Sequence, residues 1–435
     1  GALLKLAGPV VASRVGVMVM GLVNAVVVGR YSAEQLGFHA MAWAPAGVAV
    51  TMAIGLLSGV QVMTARAVGG GRREETGAVL RRGLVYALWI GVIAAVVMAA
   101  GGPAFLSALG LEPGLARGAA APLVIFALCL PMTALGVAAS FWLEGLSKPG
   151  PAAWLMWLAN LVNLVLVLLL APGAFGIPAM GAVGAAWATT GARTVLALSL
   201  LAYIAMMPEA RALGVFRRAP RDRASEAEQR RIGLGAGASN FFETAAFSSM
   251  SVIAGWIGAL AVAGWAIVLN VVAIIFMAPL GLAAATAVRV GSAYGARDEP
   301  ALGRRALVAF GVTAAFGVAA SLIVWPLSHV ITSAYTRDAA TIAMAAPAMA
   351  LVGLFLLADA LQVVIAQALR ARGDVWMPTF THLASYVFFM APLAWWLAIP
   401  HGLGLIGIVL AVTAASYLSA GLLGARFWAL SRART

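Results

Sequence analysis

The sequence predicts an all-α membrane protein with twelve transmembrane helices in two six-helix lobes, related by a pseudo-two-fold axis along the membrane normal. Three observations carry this. Apolar stretches of about twenty residues recur along the whole chain. Basic residues gather on one side of the topology that those stretches define, and the two halves match at a shift of 226 residues.

Of the 435 residues, 63% are hydrophobic and 10% charged, whereas a soluble domain is roughly half apolar and a quarter charged. A water-soluble fold cannot hide that much apolar surface. The apolar runs fall at approximately 7–29, 42–68, 84–106, 119–143, 152–170, 179–206, 233–258, 261–288, 306–328, 344–369, 377–398 and 403–428. Each is long enough to cross about 30 Å of hydrocarbon at about 1.5 Å rise per residue. The first follows Lys5 without a small-residue cleavage site, so it is expected to be a span and not a removable signal peptide. Cys129 is the single cysteine, which excludes an intramolecular disulfide.

A net charge of +13 on a soluble protein would point to nucleic acid, but here the charges sort by membrane side. The ends and the loops after even-numbered spans hold 23 of the 28 Lys and Arg, among them Arg72, Arg73, Arg211, Arg217, Arg218, Arg221, Arg370, Arg372 and Arg434. The opposite side holds Arg30, Arg117 and Arg337, and Arg14 and Arg193 lie within spans. The positive-inside rule then places both termini in the cytoplasm and requires an even number of spans. Topology explains the basic excess, so no nucleic-acid partner is expected.

The longest polar segment, 207–231, divides an N-terminal lobe at 1–206 from a C-terminal lobe at 232–435 and is expected to be a cytoplasmic basic linker. Across it the 226-residue shift sets Gly29 on Gly255, Gly55 and Leu56 on Gly281 and Leu282, Gly69 on Gly295, and Glu112 on Asp338. Six spans is an even number, so both copies insert in the same orientation as parallel repeats. Pro131, Pro279, Pro326 and Pro392 lie inside spans, where each removes a backbone hydrogen bond and kinks the helix. The Trp residues, including Trp43, Trp142, Trp154, Trp395 and Trp428, are expected as interfacial anchors.

Of the fifteen acids, only Glu243 and Asp359 sit deep in apolar segments, near the middle of the seventh and tenth spans. A carboxylate there costs about 2.5–3.5 kcal/mol on insertion scales, so it marks a functional site or a helix-to-helix hydrogen bond. Helical spacing gives Glu243 the company of Ser239, Asn240 and Phe247, and gives Asp359 that of Phe355 and Gln362. Such a set offers hard oxygen ligands for Na⁺ or a trap for a proton. His382 and Tyr386 share a face of the eleventh span, and Asn24, Gln61, Asn160, Asn163 and Asn270 are amides within spans, serving as interhelical ties or cavity lining. Arg14, near the cytoplasmic end of its span, is expected to snorkel, while Arg193 is open between helix pairing and cavity lining. Phosphate loops, metal-ligand clusters and nucleophile motifs are missing, so neither an enzyme nor a cofactor is expected.

These residues resemble the multidrug and toxic compound extrusion transporters over essentially the whole length, most closely the NorM-type branch. The resemblance rests on Leu-Ala-Gly-Pro at 6–9, Gly-Gly-Gly-Arg-Arg-Glu-Glu at 69–75, Phe-Phe-Glu at 241–243, the block at 279–291, and Ala-Asp-Ala-Leu-Gln-Val-Val at 358–364. It implies that Glu243 and Asp359 form a cation site in the second lobe, binding Na⁺ if the chain is sodium-coupled. The sequence departs from the family where an aspartate is common in the first helix, here Asn24. Its fifth-helix partners read Asn163 and Val167, and Phe355 replaces a tyrosine. The chain is thus expected to be a secondary antiporter of the bacterial inner membrane, monomeric, lipid-embedded, and exporting amphipathic, cationic, drug-like molecules in exchange for Na⁺ or H⁺. A lipid-linked oligosaccharide flippase of the same superfamily, or a membrane protein without transport, is the alternative.

Overall fold

The computed structural model describes residues 1–108, 113–217 and 222–432; Glu112, Arg218, Arg221 and Arg434, named above, lie outside the described residues. The described chain is helical, because within lipid a spanning segment has to satisfy every backbone N–H and C=O internally. The helices are α1 (Ala2–Tyr31), α2 (Ala33–Gly69), α3 (Thr76–Ala108), α4 (Pro113–Gly145), α5 (Gly150–Leu170) and α6 (Gly181–Met206). They continue with α7 (Arg223–Ile257), α8 (Ala259–Gly295), α9 (Glu299–Tyr335), α10 (Ala339–Ala371), α11 (Trp376–Ala398) and α12 (Gly404–Arg432).

Each of the twelve apolar runs corresponds to one helix. Eleven helices are long and apolar enough to cross a membrane; α7 differs because it starts in the charged stretch from Arg223 to Arg231 and carries Ser239, Asn240 and Glu243. Most helices overrun their apolar windows, since hydropathy marks the hydrocarbon layer while the hydrogen-bond ladder continues until a cap ends it. Ser32, Asp298 and Asp338 cap α2, α9 and α10, accepting from the backbone N–H groups of Gln35, Ala301 and Thr341. Gly258, at φ +142°, is the single residue between α7 and α8, a backbone conformation that only glycine enters readily.

In α11 the turns from Leu383 to Met390 are π-helical. The ring of Pro392 presses on the carbonyl four residues earlier, and the wider turns absorb that displacement where a simple kink was expected.

The chain forms two compact units, Gly8–Gly237 and a second made of Gly1–Ala7 with Ala238–Thr435. In the first unit Leu57, Leu80, Leu143, Leu200 and Trp142 build the core. Trp142 is fully buried and its indole N–H donates to Thr76 O at 2.9 Å, so it is a core residue and not an interfacial anchor; Trp154 is exposed as an anchor would be. The polar stretch after α6 is tied into this unit: Gly77 N donates to Leu213 O at 2.8 Å, and Arg81 donates to the carbonyls of Gly214 and Val215, both at 2.7 Å. Arg66 pairs with Glu228 at 3.2 Å.

Where α2 crosses the beginning of α7, Gly55 meets Gly237, Gly59 meets Gln229 and Gly233 meets Leu56, so each helix contributes two glycines spaced four apart. A Cβ on Gly233 would lie 1.9 Å from Leu56 O, and one on Gly59 would lie 2.0 Å from Gln229 O. Backbones this close are the small-residue packing of membrane helices.

In the second unit Met250, Trp265, Met349, Phe355, Tyr386 and Ile408 form the core. Leu3 and Ala7 pack with Leu282 and Val364. Arg372 fastens the end of α12, donating to Leu430 O and to Ser431 Oγ, each at 3.1 Å.

Gly233→Leu should lower the thermal midpoint of the detergent-purified chain or abolish its folded fraction, since overpacking costs about 1–3 kcal/mol or more. Gly255→Leu, whose Cβ meets nothing within 4 Å, should leave the midpoint within about 0.5 kcal/mol of the parent. Equal midpoints for the two variants would contradict the glycine crossing.

Candidate functional site

In the second unit, α7 supplies Glu243, α10 supplies Asp359 and Gln362, and α11 supplies His382 and Tyr386. Gln362 lies one turn after Asp359 and reaches across to α7. Its Nε2 donates to Glu243 Oε1 at 3.1 Å and to Asp359 Oδ1 at 3.4 Å. The two acids, 116 residues apart in sequence, therefore meet on one neutral amide. Asp359 is 4% exposed and Glu243 half-buried; Gln362 Oε1 is buried with no hydrogen-bond partner.

A second polar chain runs beside the first. Ser239, one turn before Glu243, bonds His382 Nδ1 at 2.6 Å, while His382 Nε2 is buried without a partner. The imidazole stands edge-on to Tyr386 at 5.6 Å, Tyr386 lies 6.0 Å from the ring of Phe247, and its hydroxyl is 3.4 Å from Ser416 Oγ. Phe355 is buried in the apolar core, Asn240 is half-buried, and Asn270 is exposed. Neither asparagine has a side-chain hydrogen bond within the described residues. The two acids, Gln362, Ser239, His382, Tyr386 and Phe247 are thus brought together, and Asn240, Asn270 and Phe355 add no polar contact.

Arg370 was counted above with the cytoplasmic loop cations, but it is 3% exposed and its charge acts on both Glu243 and His382. It follows Asp359 by eleven residues, three helical turns, so α10 presents both on one face. Counted at formal charge, the two carboxylates and the Arg370 guanidinium sum to −1.

The first unit contains the buried polar groups that the sequence placed there, in a different arrangement. Asn163 Nδ2 donates to Asn24 Oδ1 at 2.8 Å and Asn24 Nδ2 to Thr189 Oγ1 at 2.7 Å, beside the apolar Val167. This is a neutral chain without a carboxylate, and Asn163 Oδ1 at its end is buried with no partner among the described residues. Asn160 ties α5 to α1 through Gly16 O at 3.0 Å.

Gln61 does not join the amide chain; its Nε2 donates to Glu144 Oε2 at 2.5 Å. Glu144 is buried, and Arg14 Nη2 lies 3.8 Å from its Oε1 with the guanidinium over the ring of Phe141 at 5.4 Å. Arg14 thus has a carboxylate partner inside the unit, and at formal charge the pair is neutral. Glu144 escaped the sequence because it is the penultimate residue of α4, at a span end where hydropathy assigns every acid to the interface.

Arg193 lines a cavity of about 240 Å³ with Asn24, His39, Trp43 and Thr189, the second of the two roles left open for it.

Twelve helices in two units, with clusters of ionisable groups inside each unit, define an integral membrane protein with the architecture of a transporter. The MatE family model matches residues 9–169 and, again, residues 236–396, so one family pattern describes each half. The chain is 60% identical over 425 residues to the probable multidrug resistance protein NorM of Caulobacter vibrioides, covering 98% of this chain and 90% of the relative. It is 32% identical over 413 residues to the multidrug resistance protein PmpM of Pseudomonas aeruginosa, covering 93% and 83% of the two chains. Among solved structures, a eukaryotic MATE transporter, AtDTX14, has the same fold with a TM-score of 0.89 at 20% identity, over 98% of this chain and 94% of that one. The chain belongs to the MatE family of multidrug and toxic compound extrusion transporters and is NorM-like.

Removing one partner of the Arg14 and Glu144 pair leaves a charge uncompensated. Glu144→Leu should cost about 3 kcal/mol, the low end of the range for buried pairs because Arg14 keeps a fifth of its side-chain exposure. Adding Arg14→Met to Glu144→Leu should recover at least about half of that loss in thermal or denaturant unfolding. Additive losses would show that the two groups do not interact.

Proposed function

We propose that this chain is a secondary active antiporter that exports amphipathic, cationic organic compounds in exchange for Na⁺ or H⁺, with Glu243 and Asp359 holding the coupling ion. The observation that carries the proposal is that two acids share one amide donor, so their formal charge of −2 exceeds the +1 of the buried Arg370 on the same helix as Asp359. Two like charges on one neutral donor are costly in a low-dielectric interior. One proton or one Na⁺ removes the excess, which makes a single cation the natural exchangeable partner.

The donor set suits either ion. Both carboxylates and the unpartnered Gln362 Oε1 are hard oxygens of the kind Na⁺ prefers, and a carboxylate pair accepts a proton without any further ligand. Phe355, where the family often has tyrosine, offers no additional oxygen. Ion binding neutralises the cluster and biases the transporter toward one access state, whereas a cationic substrate favours the state in which the acids are free; only such differential binding moves the equilibrium. The protein acts as a monomer in the bacterial inner membrane, with both termini in the cytoplasm, as the arginine-rich loops indicate. The names of the NorM and PmpM relatives support multidrug export as the physiological role.

Purified chain in liposomes, given an Na⁺ gradient and a pH gradient in turn, should move a cationic dye or a fluoroquinolone under at least one of them. Glu243→Gln and Asp359→Asn should each reduce the gradient-driven rate at least about ten-fold, the effect of about 1.4 kcal/mol. Wild-type rates in both variants would remove these acids from coupling, and lipid scrambling without substrate movement would favour the flippase.

A further inference from the structure

Among the described residues of the first unit, one buried charge has no ion-pair partner. Arg193 lies midway along α6, 9% exposed, and its Nε is buried without an acceptor. Among the described residues its guanidinium has no ion pair and no hydrogen bond; it lies over the ring of Trp43, 5.7 Å from the centroid. A ring face stabilises a cation from one side, but it leaves the in-plane N–H groups unmet. Such a group inside a membrane unit is costly unless something supplies the missing acceptor.

The cavity of about 240 Å³ into which Arg193 opens has the complementary features. His39 and Trp43 are four residues apart on α2, on one face, and both rings stand edge-on to Phe126, at 5.6 and 5.2 Å. His39 Nδ1 is buried with no partner. Two other polar side chains in the wall are already engaged: Asn24 bonds Asn163 and Thr189, and Thr189 donates to Ala185 O. Val17, Met20 and Leu36 make the rest of the wall apolar. The lining contains no acid, so its one permanent charge is positive.

We infer that this cavity is an organic-anion site, in which Arg193 and His39 receive the carboxylate of an aromatic acid whose ring lies against Trp43 and the apolar wall. A carboxylate supplies two acceptors in one plane, matching the guanidinium fork. The volume suits one or two fused aromatic rings. The inference goes beyond the cation export proposed above and does not rest on it: the site is in the other unit and needs no coupling ion. It widens the substrate class to aromatic acids that carry no cationic group.

The test is a binding measurement on the purified full-length chain in detergent, without an ion gradient, so its outcome is independent of whether Glu243 and Asp359 couple transport. Calorimetry with naphthalene-2-carboxylate and with its neutral isostere naphthalene-2-carboxamide should show the acid bound at least about ten-fold more tightly, as one charge-assisted pair gives. Arg193→Gln should bring the acid down to the amide's affinity while leaving the amide unchanged, and Arg193→Lys should retain part of the preference. Equal affinities of acid and amide for the wild type would overturn the inference, as would acid binding that survives Arg193→Gln. A readout that requires no variant is photolabelling by 4-benzoylbenzoate, competed by naphthalene-2-carboxylate. Labelled peptides should come from α2 or α6, and competed label confined to other helices would overturn the inference.

Discussion

A charge placed in hydrocarbon or in a water-poor helical interior has to be met by an opposite charge, a dense set of dipoles or a bound ion. That constraint organises the buried polar groups of this protein. Arg14 and Glu144 meet each other and form a neutral pair that fastens helices of the first unit. Glu243, Asp359 and Arg370 leave one negative charge over. Arg193 leaves one positive charge over, with only an aromatic face beside it. The balanced cluster is structural, and the two unbalanced ones are where binding is expected.

The two units thus share a helical plan and differ in chemistry. One family model matches each half, yet the neighbouring carboxylates of the second unit are replaced in the first by the neutral hydrogen-bonded chain of Asn163, Asn24 and Thr189. A neutral amide chain of this kind holds helices together and gives a cation little reason to enter. The proposed readings amount to a division of labour between the halves: a cation site in the second, and an aromatic cavity with one arginine in the first.

Much of this was legible in the sequence, for identifiable reasons. Hydropathy reports the thickness of the hydrocarbon layer directly, so all twelve spans were readable, including the pair separated only by Gly258. Glu243 and Asp359 stood out because an acid in mid-span has no interface to reach, and Gln362 followed from being one turn beyond Asp359. What sequence misjudged lies at span ends. Glu144 and Arg370 each sit near a loop, where hydropathy alone treats them as solvated, and only neighbouring helices decide that they are buried. The partner of Arg14 was out of reach for the same reason, since it is more than a hundred residues away. The four-residue spacing of Gly55 with Gly59 and of Gly233 with Gly237 was visible, but which helices cross there depends on the tertiary fold. The π-helical turns before Pro392 have no sequence signal beyond the proline itself.

The central claim is that Glu243 and Asp359 together hold one exchangeable cation. Infrared difference spectroscopy of the purified chain, stepping pH at fixed Na⁺ and then Na⁺ at fixed pH, reads the ionisation of buried carboxyls directly. The account predicts a carboxyl signal equivalent to a single proton per chain in the pH step, or a single carboxylate perturbation in the Na⁺ step, abolished by Asp359→Asn. A spectrum in which neither step alters a buried carboxyl, or one unchanged by that substitution, would contradict it.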